Sequence, residues 1–313
     1  MKRRTLALIG VGKIAADQHL PAIEATDLFD LVALASLSAV RHDSVPVFHT
    51  QAELFAAFPD VECVAICTPP GARYDIAREA LQKGKHVLVE KPPTAGICEI
   101  DDLAALASRG HRTLFAAWHS RFNEAVEEAG RRLTSAGVRQ VTVTWKEDVR
   151  RWHPGQEWVW QPGGFGVFDP GINALSILTK IVPFPLFVSS AELLYPANRE
   201  TPIAAALAMR GPADCGADRL DAEFDWRQQG EQTWTIEALL RSGERVELAH
   251  GGRRLRVDGR TVVEHDNTEY RQIYRRFREL VESQRSDCDT APLRLVADAS
   301  TIGRRRMTEP FEW

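Results

Sequence analysis

One lysine stands where it could act on a bound small molecule. Lys91 lies in the segment Glu90-Lys91-Pro92-Pro93, directly after an apolar run. A lysine in a crevice can hold a hydroxyl group and stabilise negative charge that forms on its oxygen. A surface lysine before a turn is the alternative, and the segment alone does not decide between the two.

A carboxylate and a carboxamide form a second candidate group. Asp169 and Asn173 follow a stretch with three glycines in four residues, at 163–166. Residues four apart share one face of a helix, so both side chains would point the same way if the helix has begun at Asp169. Asp accepts a proton or a hydrogen bond, and Asn both donates and accepts, which suits a grip on a hydroxyl. The alternative is that Asp169 caps the helix.

Residues 145–160 contain four tryptophans interleaved with charged side chains, Trp152 among them. Aromatic faces combined with charged or amide groups suit a polyhydroxylated small molecule. A packed loop between domains is the alternative, because Trp is largely buried on average.

A glycine pattern near the start of the chain predicts a dinucleotide site. Gly10, Gly12, Lys13 and Ile14 belong to a G-x-G-x-x-A run between a strand and a helix, where backbone N–H groups can approach a pyrophosphate. Thr68, Pro69 and Glu90 follow later strands. Ligands of such sheets bind at the carboxyl ends of the strands, so these residues are further cofactor contacts.

The second strand bears on the choice of cofactor. Its tip carries Ser36 and Ser38 and no acidic residue that would bind the ribose hydroxyl of NAD. The serines, with Arg41 or His42, could instead bind the phosphate of NADP. The sequence therefore predicts NADP or NAD as cofactor.

Alternating strand and helix patterns predict how these residues are positioned. Apolar runs predict buried strands at residues 5–9, 31–35, 61–66, 86–89 and 113–117. Helical patterns occupy residues 72–82, 97–108 and 124–133. We therefore expect an α/β chain with a doubly wound parallel (Rossmann) sheet in a dinucleotide-binding domain over residues 1–120.

The second part of the chain predicts a substrate-binding α+β domain over residues 121–313. Alternating patterns predict a large, mostly antiparallel open sheet, with strands at residues 141–145, 190–194, 204–209, 220–225, 232–240, 245–249 and 255–257. Helices are expected near 173–180, 270–283 and 294–306, the C-terminal ones able to pack back on the first domain. The arginine run 304–306 would be a solvated helix end.

Composition excludes several classes of protein. The net charge of -4 offers no basic excess for nucleic acid. The apolar stretch 6–12 is too short to span a membrane. Five cysteines without a CxxC pair argue against a disulfide framework or a metal site and fit a cytoplasmic protein.

Taken together, these segments resemble the glucose-fructose oxidoreductase / inositol dehydrogenase family over nearly the whole chain. The glycine fingerprint, Glu90-Lys91-Pro92 and residues 163–173 occur in the family order. Residues 12–15 with 17–23, 118–121, 145–155 and 168–176 resemble most closely the bacterial branch that oxidises L-arabinose or D-galactose at the anomeric carbon.

The resemblance implies an aldose 1-dehydrogenase that makes a sugar lactone. It implies Asp169 as general base, since Asn173 replaces a histidine found in many members, and Lys91 as the group that positions the hydroxyl. Glu147 and His153 resemble sugar contacts. Trp234 resembles an aromatic wall, and His119 is a further candidate. Leu37 stands where the arabinose enzymes carry Arg, which leaves NAD use open.

Two other functions fit the same pattern. One is a dehydrogenase of another polyol or ring diol, and the other is a sugar sensor that binds dinucleotide without turnover. The expected partner is a small-molecule aldose, with no nucleic acid or membrane, and a homodimer is possible through an open sheet face.

Overall fold

The first part of the chain builds a parallel sheet from short apolar strands. The structure is a computed structural model and describes residues 2–266 and 268–313. Its first strands are β1 (Arg4–Ile9), β2 (Phe29–Ala35), β3 (Val47–Phe48), β4 (Cys63–Ile66), β5 (His86–Glu90) and β6 (Leu114–Ala117). The helices between them are α1 (Leu20–Thr26), α2 (Gln51–Ala57), α3 (Pro70–Gln82) and α4 (Ile97–Arg109).

All pairings in this sheet are parallel, in the order β3-β2-β1-β4-β5-β6. The central strand β4 and the edge strand β6 are buried at every position, as expected for a sheet with helices on both faces. The strand order reverses between β1 and β4, which is where sheets of this kind bind ligands. The predicted Rossmann sheet is confirmed.

A second sheet follows, and side chains alternate between buried and more exposed along its central strands. Its strands are β7 (Val138–Lys146), β8 (Phe187–Pro196), β9 (Ala204–Arg210), β10 (Arg219–Asp225), β11 (Thr233–Leu240), β12 (Arg245–Ala249), β13 (Arg254–Val257), β14 (Arg260–Glu264) and β15 (Arg304–Thr308). The remaining helices are α5 (Glu124–Ala136), α6 (Val149–Trp152), α7 (Phe168–Ile181), α8 (Glu269–Glu282) and α9 (Ala291–Ile302).

This sheet is mixed and mostly antiparallel, in the order β14-β13-β12-β11-β7-β10-β9-β8-β15. The pairs β7–β10 and β8–β15 are parallel. Helices α5, α7 and α9 pack together and against the sheet, so its apolar side is buried on them. The predicted α+β architecture is confirmed.

The chain divides into two compact units. Unit 1 comprises residues 2–119 with Thr268–Thr290, and unit 2 comprises residues 120–266 with Ala291–Trp313. Helix α8 therefore belongs to unit 1, where it packs on α1 and β6. In the part of the chain that the structure describes, no helix is long and apolar enough to cross a membrane.

Two predicted elements differ from the structure. The helix expected over residues 294–306 ends at Ile302, and the arginine run 304–306 lies in the edge strand β15, so a solvated helix end is wrong. The strand forms because its backbone pairs with β8, more than a hundred residues earlier, a contact that no local pattern encodes. Helix α7 begins at Phe168, before the predicted residue 173, because a proline is tolerated in a first turn.

Candidate active site

The turn after β1 requires glycine at its first position. Gly10 has φ +93°, and its N–H donates to the Ala35 carbonyl at 2.8 Å. A Cβ on Gly10 would lie 2.6 Å from the Thr68 backbone nitrogen, closer than real atoms approach. The first residues of the dinucleotide pattern are therefore packed directly against the end of β4, at the point where the strand order reverses.

The rest of this loop leaves room for a ligand. A Cβ on Gly12 would meet no atom within 4 Å, and the chain continues into a π-helical turn, Ala15–His19. The hydroxyl oxygen of Thr68 is buried without a hydrogen-bond partner among residues 2–266 and 268–313. A buried hydroxyl of this kind is satisfied by a ligand with polar oxygens, so these residues fit a dinucleotide.

The remaining cofactor candidates lie near the same end of the sheet. Ile14 precedes the π-helical turn, and Pro69 is the N-cap of α3. Lys13 pairs with Asp17 one turn later. Ser36 follows β2 and is 8% exposed, and its hydroxyl accepts the Ser38 N–H at 3.3 Å.

Lys91 immediately follows β5, and its own backbone is tightly held. The Glu90 carboxylate accepts the Lys91 N–H at 2.9 Å and is itself 2% exposed. The buried Arg73 donates to the Glu90 carbonyl at 2.9 Å. Sequence reasoning missed Arg73, because nothing in its neighbourhood distinguishes it from a surface arginine of α3.

His119 follows β6 and contacts an acidic residue from the far end of the chain. Its Nδ1 lies 2.6 Å from Glu269, and its ring stacks on Tyr270. Burial alone would lower the pKa of His119, but the Glu269 carboxylate raises it. His119 and Glu269 therefore form a candidate ion pair in unit 1, whereas the other predicted sugar contacts lie in unit 2.

In unit 2, a buried carboxylate holds two indole groups. Glu147 is 5% exposed; its Oε1 accepts the Trp226 N–H at 3.2 Å and its Oε2 accepts the Trp234 N–H at 2.9 Å. Trp234 in turn packs on Trp152, with ring centroids 5.4 Å apart. Three predicted sugar contacts thus lie side by side, and Trp226 is a member that the sequence did not reveal.

A second pair connects this cluster to Asp169. His153 lies 5.3 Å from Trp226 between ring centroids, and its Nε2 is 3.3 Å from the Asp169 Oδ2. Its Nδ1 lies 3.2 Å from the Gln156 Oε1, which also accepts the Trp158 N–H at 3.1 Å. An indole N–H can only donate, so the oxygen of Gln156 must face both partners.

This arrangement constrains the protons of the His153–Asp169 pair. The two ring nitrogens of His153 face the oxygens of Gln156 and Asp169. Each of these contacts needs a proton between the nitrogen and the oxygen to be a hydrogen bond. A neutral imidazole carries one such proton, and the second must come from an imidazolium or from a protonated Asp169. The pair is therefore a place where a proton can be held or transferred.

Helix α7 presents Asp169 and Asn173 on one face, as their spacing predicts. The N-cap of α7 is Val167, so a capping role for Asp169 is wrong; the carboxylate is buried within the first turn. The preceding bend depends on Gly164, because a Cβ there would lie 2.0 Å from the Trp158 carbonyl oxygen. Asn173 is half-buried.

Not every tryptophan of residues 145–160 belongs to the site. Trp145 lies in β7 and is 5% exposed, and Trp160 is 2% exposed against Phe311. The interpretation of this segment as a surface for a polyhydroxylated small molecule therefore does not hold for these two side chains, which lie in the core. Trp152 and Trp158 are the members that remain half-buried around His153 and Glu147.

Comparison with known proteins decides the family. Residues 4–117 match the model of an oxidoreductase family with an NAD-binding Rossmann fold, GFO/IDH/MocA. Galactose 1-dehydrogenase of Pseudomonas fluorescens is 42% identical over 308 residues, which cover 98% of each chain. The chain belongs to the GFO/IDH/MocA oxidoreductases. The predicted family and the predicted nicotinamide-dependent oxidoreductase are both confirmed.

Solved structures show the similarity of this GFO/IDH/MocA protein in three dimensions, again over nearly the whole chain. D-galactose-1-dehydrogenase from Rhizobium etli has 48% sequence identity and a TM-score of 0.94, and the match covers 100% of this chain and 99% of that one. A 3-ketoreductase from Actinomadura kijaniata, solved in complex with NADP, has a TM-score of 0.82 at 19% identity, over 98% and 100% of the two chains. The second match shows the fold alone.

Proposed function

We propose that this oxidoreductase is an aldose 1-dehydrogenase that oxidises the anomeric carbon of D-galactose, L-arabinose or both to the lactone. The observation that carries the proposal is the Asp169 carboxylate, buried and 3.3 Å from His153. Two relatives that are galactose 1-dehydrogenases at 42% and 48% identity support it.

The sugar is proposed to bind to the cluster around Glu147. Trp152 and Trp234 offer aromatic surface to the C–H face of a pyranose, while Glu147 and His153 offer groups for its hydroxyls. A pentose and a hexose differ by one hydroxymethyl group on C5, so a cluster open at that end would accept both sugars.

Asp169 is the proposed general base. Its carboxylate removes the proton of the C1 hydroxyl, directly or through a water, as C1 gives up its hydride. His153 then offers a route for that proton, because its Nε2 faces the Asp169 oxygen and its side chain is 17% exposed. We propose that Lys91 and Asn173 stabilise the negative charge that develops on the oxygen, with His119 as a further sugar contact.

Unit 1 is proposed to bind the dinucleotide, which when bound supplies the hydride acceptor. Gly10, Gly12, Lys13 and Ile14 would hold the pyrophosphate, and Thr68 would find a partner for its buried hydroxyl. Further contacts are proposed for Ser36, Pro69, Glu90 and Lys91. With Ser36 and no acidic residue at the tip of β2, and with Leu37 78% exposed, we expect both NADP and NAD to be used.

The test is initial-rate reduction of NAD and NADP with D-galactose, L-arabinose and D-glucose. We expect rapid reduction with the first two sugars and much slower reduction with glucose. Asp169→Asn is the matched variant, because the amide retains the shape but cannot take the proton. Dinucleotide binding without turnover of any of these sugars would instead favour a sensor or a dehydrogenase of another polyol.

A further inference from the structure

The peptide group between Glu90 and Lys91 is held at both of its polar atoms. Its N–H donates to the Glu90 carboxylate at 2.9 Å, and its carbonyl accepts from Arg73 at 2.9 Å. The same guanidinium donates to the Thr68 carbonyl at 2.7 Å and to the Pro92 carbonyl. The buried Arg73 guanidinium thus holds the backbone on both sides of Lys91 and links it to the residue Thr68, which lies beyond the end of β4.

The second oxygen of Glu90 is held by side chains from two distant elements. Its Oε1 lies 3.0 Å from the His19 Nε2 and accepts the Tyr270 hydroxyl at 2.8 Å. The His19 Nδ1 lies 2.8 Å from the Tyr274 hydroxyl. A His19 that donates from Nε2 and accepts from Tyr274 satisfies every contact, and so does an imidazolium with Tyr274 as acceptor.

Burial alone would raise the pKa of Glu90, but the hydrogen bond and charge of His19 lower it to about 2. Burial alone would lower the pKa of His19, but its contacts with Cys67 and Glu90 raise that pKa. Glu90 is therefore a carboxylate within the core of unit 1 at neutral pH. Well-packed apolar side chains often stabilise a fold as much as a buried ionic group does, or more. Stability is therefore a weak explanation for the presence of a buried carboxylate at Glu90.

We propose that Glu90 is a positioning residue for Lys91: its carboxylate fixes the Lys91 backbone and thereby the direction of the ammonium group. His19, at the end of the turn that begins in the glycine loop, and Tyr270, on α8, hold that carboxylate in place. The inference rests on the catalytic role proposed above for Lys91. It gives Glu90 a function beyond its proposed contact with the dinucleotide.

A double-mutant cycle of Glu90→Gln and Lys91→Met tests the inference. Misplacing a catalytic group by about an ångström costs up to roughly 100-fold, so we expect Glu90→Gln to lower kcat roughly 10- to 100-fold. The sugar KM and the dinucleotide Kd, measured by fluorescence, should change less. In the Lys91→Met background, Glu90→Gln should change kcat by less than about twofold, because Glu90 acts through Lys91.

Glu62→Gln is the matched control. Glu62 precedes β4 at the opposite end of the same sheet, and its carboxylate also accepts a backbone N–H, from Thr5 at 3.1 Å. A similar loss of kcat in this variant would mean that any broken carboxylate contact in unit 1 impairs the enzyme, which would overturn the inference. We expect wild-type kcat.

Tyr270→Phe keeps the inference testable if Glu90→Gln does not fold. It removes one hydrogen bond from the same oxygen and should lower kcat roughly two- to tenfold, again without effect beside Lys91→Met. If Lys91→Met itself leaves kcat intact, the proposed role of Lys91 fails. If Lys91→Met lowers kcat while Glu90→Gln and Tyr270→Phe do not, or if their effects multiply, the positioning role alone is refuted.

Discussion

The buried carboxylate of Glu147 leads to a quantitative prediction. Both of its oxygens accept an indole N–H, from Trp226 and from Trp234. In Glu147→Gln, the amide oxygen can accept from one indole, but the amide NH2 then faces the other indole, and two donors oppose each other. One indole N–H, that of the buried Trp226 or of the half-buried Trp234, is left without an acceptor.

The magnitude follows from that single lost contact. A buried donor left unsatisfied costs about 1–3 kcal/mol. For a domain the size of unit 2, this lowers the midpoint of thermal unfolding by roughly 2 to 12 °C. Seven of the eight tryptophans lie in unit 2, so tryptophan fluorescence follows the unfolding of that unit. If Glu147 also contacts the sugar, as proposed, the KM for the sugar should rise in the same variant.

Trp234→Phe provides the internal check. With Phe at position 234, the amide of Glu147→Gln can turn its oxygen to Trp226 and its NH2 away from any donor. The double variant should therefore be more stable than the sum of the two single effects predicts, by about 1–2 kcal/mol. Additive effects, within about 0.5 kcal/mol, would refute the proposed hydrogen-bond geometry.

Glu223→Gln is the control for the loss of charge. Glu223 lies in the same sheet, but its side chain is 56% exposed and pairs with Lys146 at the surface. Exposed ion pairs contribute about 0–1 kcal/mol, so this variant should unfold close to wild type. A loss equal to that of Glu147→Gln would point to the net charge of the sheet as the cause.

Three further predictions concern the two units separately. Asp169→Asn should lower kcat roughly 100- to 10,000-fold in initial-rate assays, with the dinucleotide Kd from fluorescence titration unchanged. Gly12→Ala should fold normally but weaken dinucleotide binding, whereas Gly10→Ala should lower the thermal midpoint, because its Cβ would lie 2.6 Å from the Thr68 nitrogen. The lowered pKa of Glu90 contributes stability above its unfolded value of 4.5 that is lost as pH falls from there towards about 2. In acid unfolding, Glu90→Gln should therefore show a shallower dependence over this range than wild type, and equal slopes would contradict the assignment.

Much of the fold follows from local patterns. The apolar runs at residues 5–9 and 86–89 predict β1 and β5 to within one residue, because a strand buried on both faces must be apolar throughout. Helix α2 was not predicted, although its capping box at Thr50 and Glu53 is a recognisable start signal. The two-residue strand β3 is too short for any periodicity.

The candidate site was predictable by residue type but not by contact. Glycine spacing and the Glu90-Lys91 segment indicate chemistry because they are short motifs. The partners of Glu90 are different: His19 is 71 residues away and Tyr270 is 180 away, so no window of sequence contains the contact. Such pairs are set by the sheet order and by the return of α8 to unit 1.

The two units show the same arrangement around a buried acidic group. Glu90 and Glu147 each have donors at both oxygens, and the donors come from separate elements. A buried carboxylate tolerates this environment only if all of its hydrogen bonds form together, so the surrounding side chains must be placed accurately. An apolar side chain at Glu90 or Glu147 alone leaves the surrounding donors without an acceptor and should lower stability, whereas replacing the carboxylate together with its side-chain donors by apolar groups of similar volume should preserve stability while activity falls. Separation of stability from activity in these multiple replacements is the result expected if the carboxylates are retained for geometry.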